Sequence, residues 1–232
     1  MSNEPQAPEK DGNVTYYSAS EQQMRTYPAA RKALSLRRIL PWAFAPIFLI
    51  TGCHAMDNSP ATSQIKPPAL TKEVPLRFAR HNFGVHCYNV TGCTVLYNGR
   101  YQRNDASDEV SRPPPSDPDY AQAWMGGELG IRNFPPPAQV RWKSLDGVAH
   151  EAQVDIGAIF KDELIWHKVP KSDMRPFFKG PVAGTPDISM EVNDRTINVY
   201  IGMTVPTLTE QIPGNKYSYG RHDNFLAWTH TY

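Results

Sequence analysis

Between Val140 and Ile156, apolar and polar residues alternate on both sides of Asp146-Gly147, and no other stretch constrains the fold as tightly. Strand side chains point to opposite faces with a period of two, so Val140 and Trp142 share one face. After the turn, Val148, His150, Ala152, Val154 and Ile156 do the same. Asp-Gly is favoured by a type I′ turn, whose two central residues both need positive φ. A second hairpin follows, from Ile188 to Val192, through Asn193-Asp194-Arg195, into Ile197 to Ile201. Twenty-two prolines among 232 residues work against long helices and favour loops and strand edges.

These runs predict a mainly β domain over residues 74–232, an antiparallel, sandwich-like arrangement of sheets. Val85 and Cys87, then Cys93, Val95 and Tyr97, alternate as half-buried strands do. Ile159, Phe160, Glu163, Leu164 and Trp166 permit one short helix of about ten residues. The aromatic end, from Tyr217 to Tyr232, reads as a last strand or a docked arm.

Ahead of this domain, Arg37-Arg38 precede an apolar run from Ile39 to Ile50, followed by Thr51-Gly52-Cys53. The run is too short for a bilayer core of about 30 Å, which takes roughly 20 apolar residues, and Pro41 and Pro46 interrupt it. A basic flank, a short apolar segment and small residues make a secretory signal rather than a transmembrane anchor. The arrangement resembles the signal and lipobox of a bacterial lipoprotein. That resemblance implies removal of residues 1–52 and acylation of Cys53, with more than one acyl chain needed for stable anchoring. Glu4, Glu9, Asp11 and Glu21 suit a signal poorly, and Met24 reads as the true start because five basic residues then precede the apolar run. Residues 53–73, polar and proline-containing, read as a flexible tether. His54 is not the aspartate associated with inner-membrane retention, so the resemblance implies the periplasmic face of the outer membrane.

Residues 1–52 hold six of the chain's 24 Lys and Arg and four of its 23 Asp and Glu. The remainder carries a net charge of about −1, which gives no electrostatic case for nucleic acid. Cys87 and Cys93 flank a five-residue, turn-like segment. In an exported chain such a pair reads as a disulfide closing a hairpin. Free thiols, or a metal site using His86, are the alternatives.

The chain contains no Gly-x-Ser-x-Gly, His-Glu-x-x-His or phosphate-loop motif. Its histidines do not pair at metal-ligand spacing, and neither a cofactor nor a small-molecule substrate is implied. His222-Asp223 could orient an imidazole, yet no nucleophile accompanies it. Gly126-Gly127 reads as a bend rather than a nucleotide loop. Residues 102–123 form an acidic loop stiffened by Pro113-Pro114-Pro115, and loops of this length are usually functional or disordered. Trp142 belongs in the core by its alternation with Val140. Trp124, between the acidic loop and two glycines, is placed for display at a contact surface.

The segment from Phe134 to Leu145, with Val140-Arg141-Trp142-Lys143-Ser144-Leu145, resembles the hallmark of a family of small, largely uncharacterised proteobacterial lipoproteins. In that family a Gly-rich turn, here Trp124-Met125-Gly126-Gly127, precedes the proline segment, and a hairpin like Ile188 to Ile201 closes the domain. The similarity spans about residues 76–205. It implies an immunity protein that binds a cognate phospholipase effector of the type VI secretion system in the periplasm. Asp105, Asp108, Glu109, Asp119, Tyr120 and Trp124 are the expected contacts, since an inhibitor needs aromatic anchors and steering charges rather than catalytic groups. A structural or assembly lipoprotein of the envelope, and a small hydrolase, are the rival readings.

Overall fold

The computed structural model describes residues 62–232. The signal at 1–52, the start at Met24, Cys53 and the tether before Thr62 lie outside the described residues. No helix among the described residues is long and apolar enough to cross a membrane.

Among the described residues, ten strands form two sheets. The first runs β1 (Thr62–Gln64), β10 (Gly220–Thr231), β9 (Thr196–Pro206), β8 (Asp187–Asn193), β2 (Arg80–Tyr88), β5 (Glu128–Arg132) in spatial order. The second runs β4 (Arg100–Asn104), β3 (Thr91–Tyr97), β6 (Ala138–Lys143), β7 (Ala149–Val154). All pairings are antiparallel except β2 with β8, which is parallel. One core contains Phe83 of β2, Tyr97 of β3, Val140 and Trp142 of β6, Met190 of β8 and Val199 of β9. Each fully buried side chain of this size contributes about 1.5–3 kcal/mol.

The alternation that predicts β6 is met residue by residue: Ala138, Val140 and Trp142 are buried, while Gln139, Arg141 and Lys143 face water. Trp142 also donates its indole N–H to the Asp194 carbonyl at 2.7 Å, joining the two sheets. On β7, Ala152 and Val154 are buried as expected, whereas Val148 lies in the turn and is exposed.

That turn is not type I′. Only Gly147 has positive φ, and Ser144 N–H bonds the Val148 carbonyl at 3.0 Å around a three-residue loop. The Asp146 carboxylate takes the Val148 N–H at 3.1 Å and the Ser144 hydroxyl, which favours the longer loop. A turn with the type I′ signature sits at Asn98-Gly99, where φ is 53° and 70° between β3 and β4.

Three other expectations need correction. The helix is shorter and earlier than expected: α2 spans Ile156–Ile159, capped by Asp155 accepting the Ala158 N–H at 2.9 Å. Beyond it the chain turns extended, because Ile165 N–H bonds the Leu76 carbonyl and Phe78 N–H the Glu163 carbonyl, burying Ile165 and Trp166. The tether does not reach residue 73. Thr62–Gln64 pairs with the end of β10, and α1 (Ala69–Glu73) is pinned where buried Thr71 bonds the His167 backbone. The Cys87–Cys93 disulfide does not close a hairpin either. β2 and β3 lie in different sheets, so the bond spans the corner where the chain crosses between them. Asn89 and Gly92, with φ of 52° and 60°, make that corner.

Candidate functional site

The acidic segment is a strap that leaves the second sheet and crosses the outer face of the first. It begins where Asp105 N–H bonds the Cys93 carbonyl, and passes the corner through Ser111 N–H to the Val90 carbonyl at 2.7 Å. A 3-10 turn at Tyr120–Ala123 then settles on β10. There Asn224 donates to the Ala121 carbonyl at 2.7 Å and exchanges two further bonds with the Gln122 amide. Gly127 N–H bonds the Phe83 carbonyl at 2.8 Å as the strap becomes β5. The glycines allow that approach: a Cβ on Gly126 would lie 2.4 Å from the Asn82 Cβ. The bend read from Gly126-Gly127 is thus a close crossing over β2.

Beneath the strap lies a small aromatic core around a buried carboxylate. On β2 and β8 the outer face carries His86, Tyr88 and Glu191, with His86 and Glu191 neighbours in the parallel register. Trp124 stacks on His86 with ring centres 3.9 Å apart and planes 9° from parallel. It also meets Tyr120 and Tyr200 edge-on, both at 5.4 Å. Glu191, 1% exposed, accepts hydrogen bonds from Tyr120 at 2.5 Å, Tyr200 at 3.1 Å and Asn198 at 3.0 Å. Burial, with that carboxylate close by, pushes both phenols above the usual tyrosine range, so they stay protonated donors. Burial also lowers the His86 pKa, outweighing the attraction of Glu191, and Arg103 and Arg112 lower it further. Its Nε2 is buried without a hydrogen-bond partner.

This geometry corrects the expected contact set. Trp124, at 8% exposed, is a foundation of the strap rather than a displayed anchor, and Tyr120 is tied down by Glu191. Asp108, Glu109 and Asp119 do face water. Asp105 is partly covered, its carboxyl held below the usual range by the Ser107 N–H and the Arg103 guanidinium. Of the expected contacts, Asp105 and Glu109 line a polar cavity of about 480 Å³ together with His86, Tyr88, Arg103 and Arg112, and the other four do not. Glu191 was not nominated from sequence; its period-two position opposite Met190 and Val192 placed it on an outer face, but the covering strap could not be foreseen.

The rival catalytic pair is not assembled. His222 bonds Thr204 at 3.2 Å, while Asp223 holds Arg221 through two bonds of 2.7 and 3.1 Å. Ser144 lies 2.8 Å from His150 Nε2, but Asp146 bonds Ser144 rather than the imidazole, so these residues brace a turn. No group of three or more His, Cys, Asp or Glu among the described residues could hold a metal ion.

A buried polar pair sits in the main core. His81 contacts Asn133 Oδ1 through Nδ1 at 2.9 Å and the Tyr97 hydroxyl through Nε2 at 3.0 Å. The Asn133 amide nitrogen donates to the Phe78 carbonyl, which leaves its oxygen to accept from Nδ1–H and makes Nε2 the acceptor from Tyr97. Burial lowers the His81 pKa, in keeping with this neutral form.

No family model, curated protein or solved structure matches the chain.

Proposed function

We propose that this chain is a lipid-anchored periplasmic inhibitor, an immunity protein that binds and neutralises a phospholipase effector of the type VI secretion system. The supporting observation is the build of the strap. Its aromatic side chains are spent inward on His86 and Glu191, so the outward carboxylates Asp108, Glu109 and Asp119 are held on a loop that is already ordered. An ordered loop loses little conformational freedom on binding, which favours tight capture of a protein carrying a complementary basic surface.

The test is co-expression. The genes flanking this one are searched for a phospholipase, whose absence counts against the reading; an enzyme found there is directed to the periplasm with and without the full-length protein, and growth and membrane phospholipid content are followed. Protection by the wild type, lost in Cys53→Ser at equal protein level, is the expected result. An absence of protection, with the chain present and acylated, overturns the reading.

A further inference from the structure

Strand β2 is covered by β8 from Asn82 to Tyr88 on one side, but by β5 only as far as Phe83 on the other. In the parallel ladder Asn82 N–H bonds the Pro186 carbonyl at 2.8 Å and Asp194 N–H the Tyr88 carbonyl at 3.1 Å. Asn82, Gly84, His86 and Tyr88 therefore turn their main-chain groups toward β8, and the residues between them turn theirs the other way. On that side the Phe83 carbonyl takes the Gly127 N–H at 2.8 Å, where β5 begins. Past the end of β2 the strap closes the line again: Asn89 N–H bonds the Arg112 carbonyl at 3.3 Å. Between these two closures, the N–H and C=O groups of Val85 and Cys87 have no partner among the described residues.

The gap is open space. Val85, His86, Cys87 and Tyr88 line the polar cavity of about 480 Å³ in succession. Consecutive side chains of a strand point to opposite faces, so a cavity that touches all four opens on the strand's edge. Arg103 of β4 and the strap from Ser107 to Arg112 complete the lining. A strand residue occupies roughly 160 Å³ at the spacings of packed sheets, so the cavity has room for about three.

We propose that the Val85–Cys87 edge is a docking slot for one extended segment of another protein, which joins the first sheet as a short strand in line with β5. The four free main-chain groups select this ligand. Donors and acceptors recurring every second residue along an edge are met by a second extended main chain, and neither a small ion nor a helix meets them. Open sheet edges are ordinarily covered or blunted; here both flanks are closed and only the stretch facing the cavity is left. Arg103 is held by Asp105 at 2.8 Å. Arg112 and Glu109 make no ion pair among the described residues, which leaves them to read the charges of the bound segment. The slot is independent of the inhibitor reading.

The experiment follows amide hydrogen exchange in the full chain, residue by residue. Without added peptide, Val85 and Cys87 are expected to exchange at least about 10-fold faster than Gly84 and His86, whose amides are bonded to β8. Equal protection would mean that the chain itself or a second copy already fills the edge, and it overturns the proposal. A phage-displayed library of random hexapeptides is then selected on the full chain, and the enriched sequences are synthesised. A bound peptide is expected to slow exchange at Val85 and Cys87 by about 10-fold or more, with Gly84 and His86 unchanged. Each peptide is also made in two forms, N-methylated at its odd or at its even residues, which keeps every side chain. One form is expected to bind like the parent and the other at least about 10-fold more weakly, because only one set of amides faces β2. Equal affinities for the two forms, or a library that yields no peptide protecting Val85 and Cys87, overturn the slot and leave the inhibitor reading untouched.

Discussion

The strap at 105–127 and the loop at 207–219 place their aromatic side chains in opposite ways, Trp124 buried and Tyr217 exposed. The strap turns Tyr120 onto the buried Glu191 and Trp124 onto His86, and leaves its acids in water beside Val110 and Met125. The loop turns its hydrogen-bonding groups inward and leaves Ile212 and Tyr217 in water. An aromatic-rich segment is therefore not a display surface merely because it lies outside the regular strands. What separates the two is whether a sheet face lies beneath: β8 and β2 offer the strap an outer face with Glu191 and His86, whereas the loop extends beyond the ends of its strands.

Truncating the aromatic at the heart of each segment gives the sharpest contrast. Trp124→Ala removes the ring stacked on His86 and is expected to cost about 3–5 kcal/mol, read as a lower denaturant midpoint and faster proteolysis within 105–119. Glu191→Ala strands two phenols and an amide and is expected to cost about 3 kcal/mol, by the same measurement. Near-wild-type stability of both variants would break the comparison at its root, because the strap would then be a detachable loop.

A smaller effect is expected from acid. Burial lowers the His86 and His81 pKa values below their ordinary 6.5. Below that value the unfolded chain binds protons that the folded chain refuses. Stability is accordingly full above about pH 6.5 and falls as the pH drops toward the lowered folded values. Denaturant midpoints at about pH 8 and about pH 5 measure the slope, and His86→Gln is expected to flatten it. The smallest effect belongs to Tyr217→Ser, expected within about 0.5 kcal/mol of wild type; a larger loss would mean that the loop supports the fold.

The strands were legible because their signal is local. Val140 with Trp142 shows the period-two pattern that burial of one face enforces, and Ile188, Met190 and Val192 keep it in residue type although β8 is buried on both faces. The site was legible only in part. The exposed acids could be read from composition, but the inward turn of Tyr120 depends on Glu191, 71 positions away, and that of Trp124 on His86, residues brought near only by the sheet. The disulfide's partners were readable from their spacing, and its placement was not, because whether two neighbouring strands pair or part into separate sheets is a tertiary outcome. The turn at Asp146-Gly147 was misassigned because the carboxylate of Asp146 bonds its own loop, a competition that dipeptide preference does not register.

The parallel pairing of β2 with β8 bears on how the domain forms. β2 finds its central neighbour only after residues 187–193 have been made, and β9 and β10 come later still. Contacts between residues so distant in sequence slow folding, since a long loop must close before any of them forms. A chain stopped before Asp187 leaves β2 paired with β5 alone and exposes a sheet edge of the kind that templates aggregation. Folding of the domain is in this sense timed by its C-terminal strands.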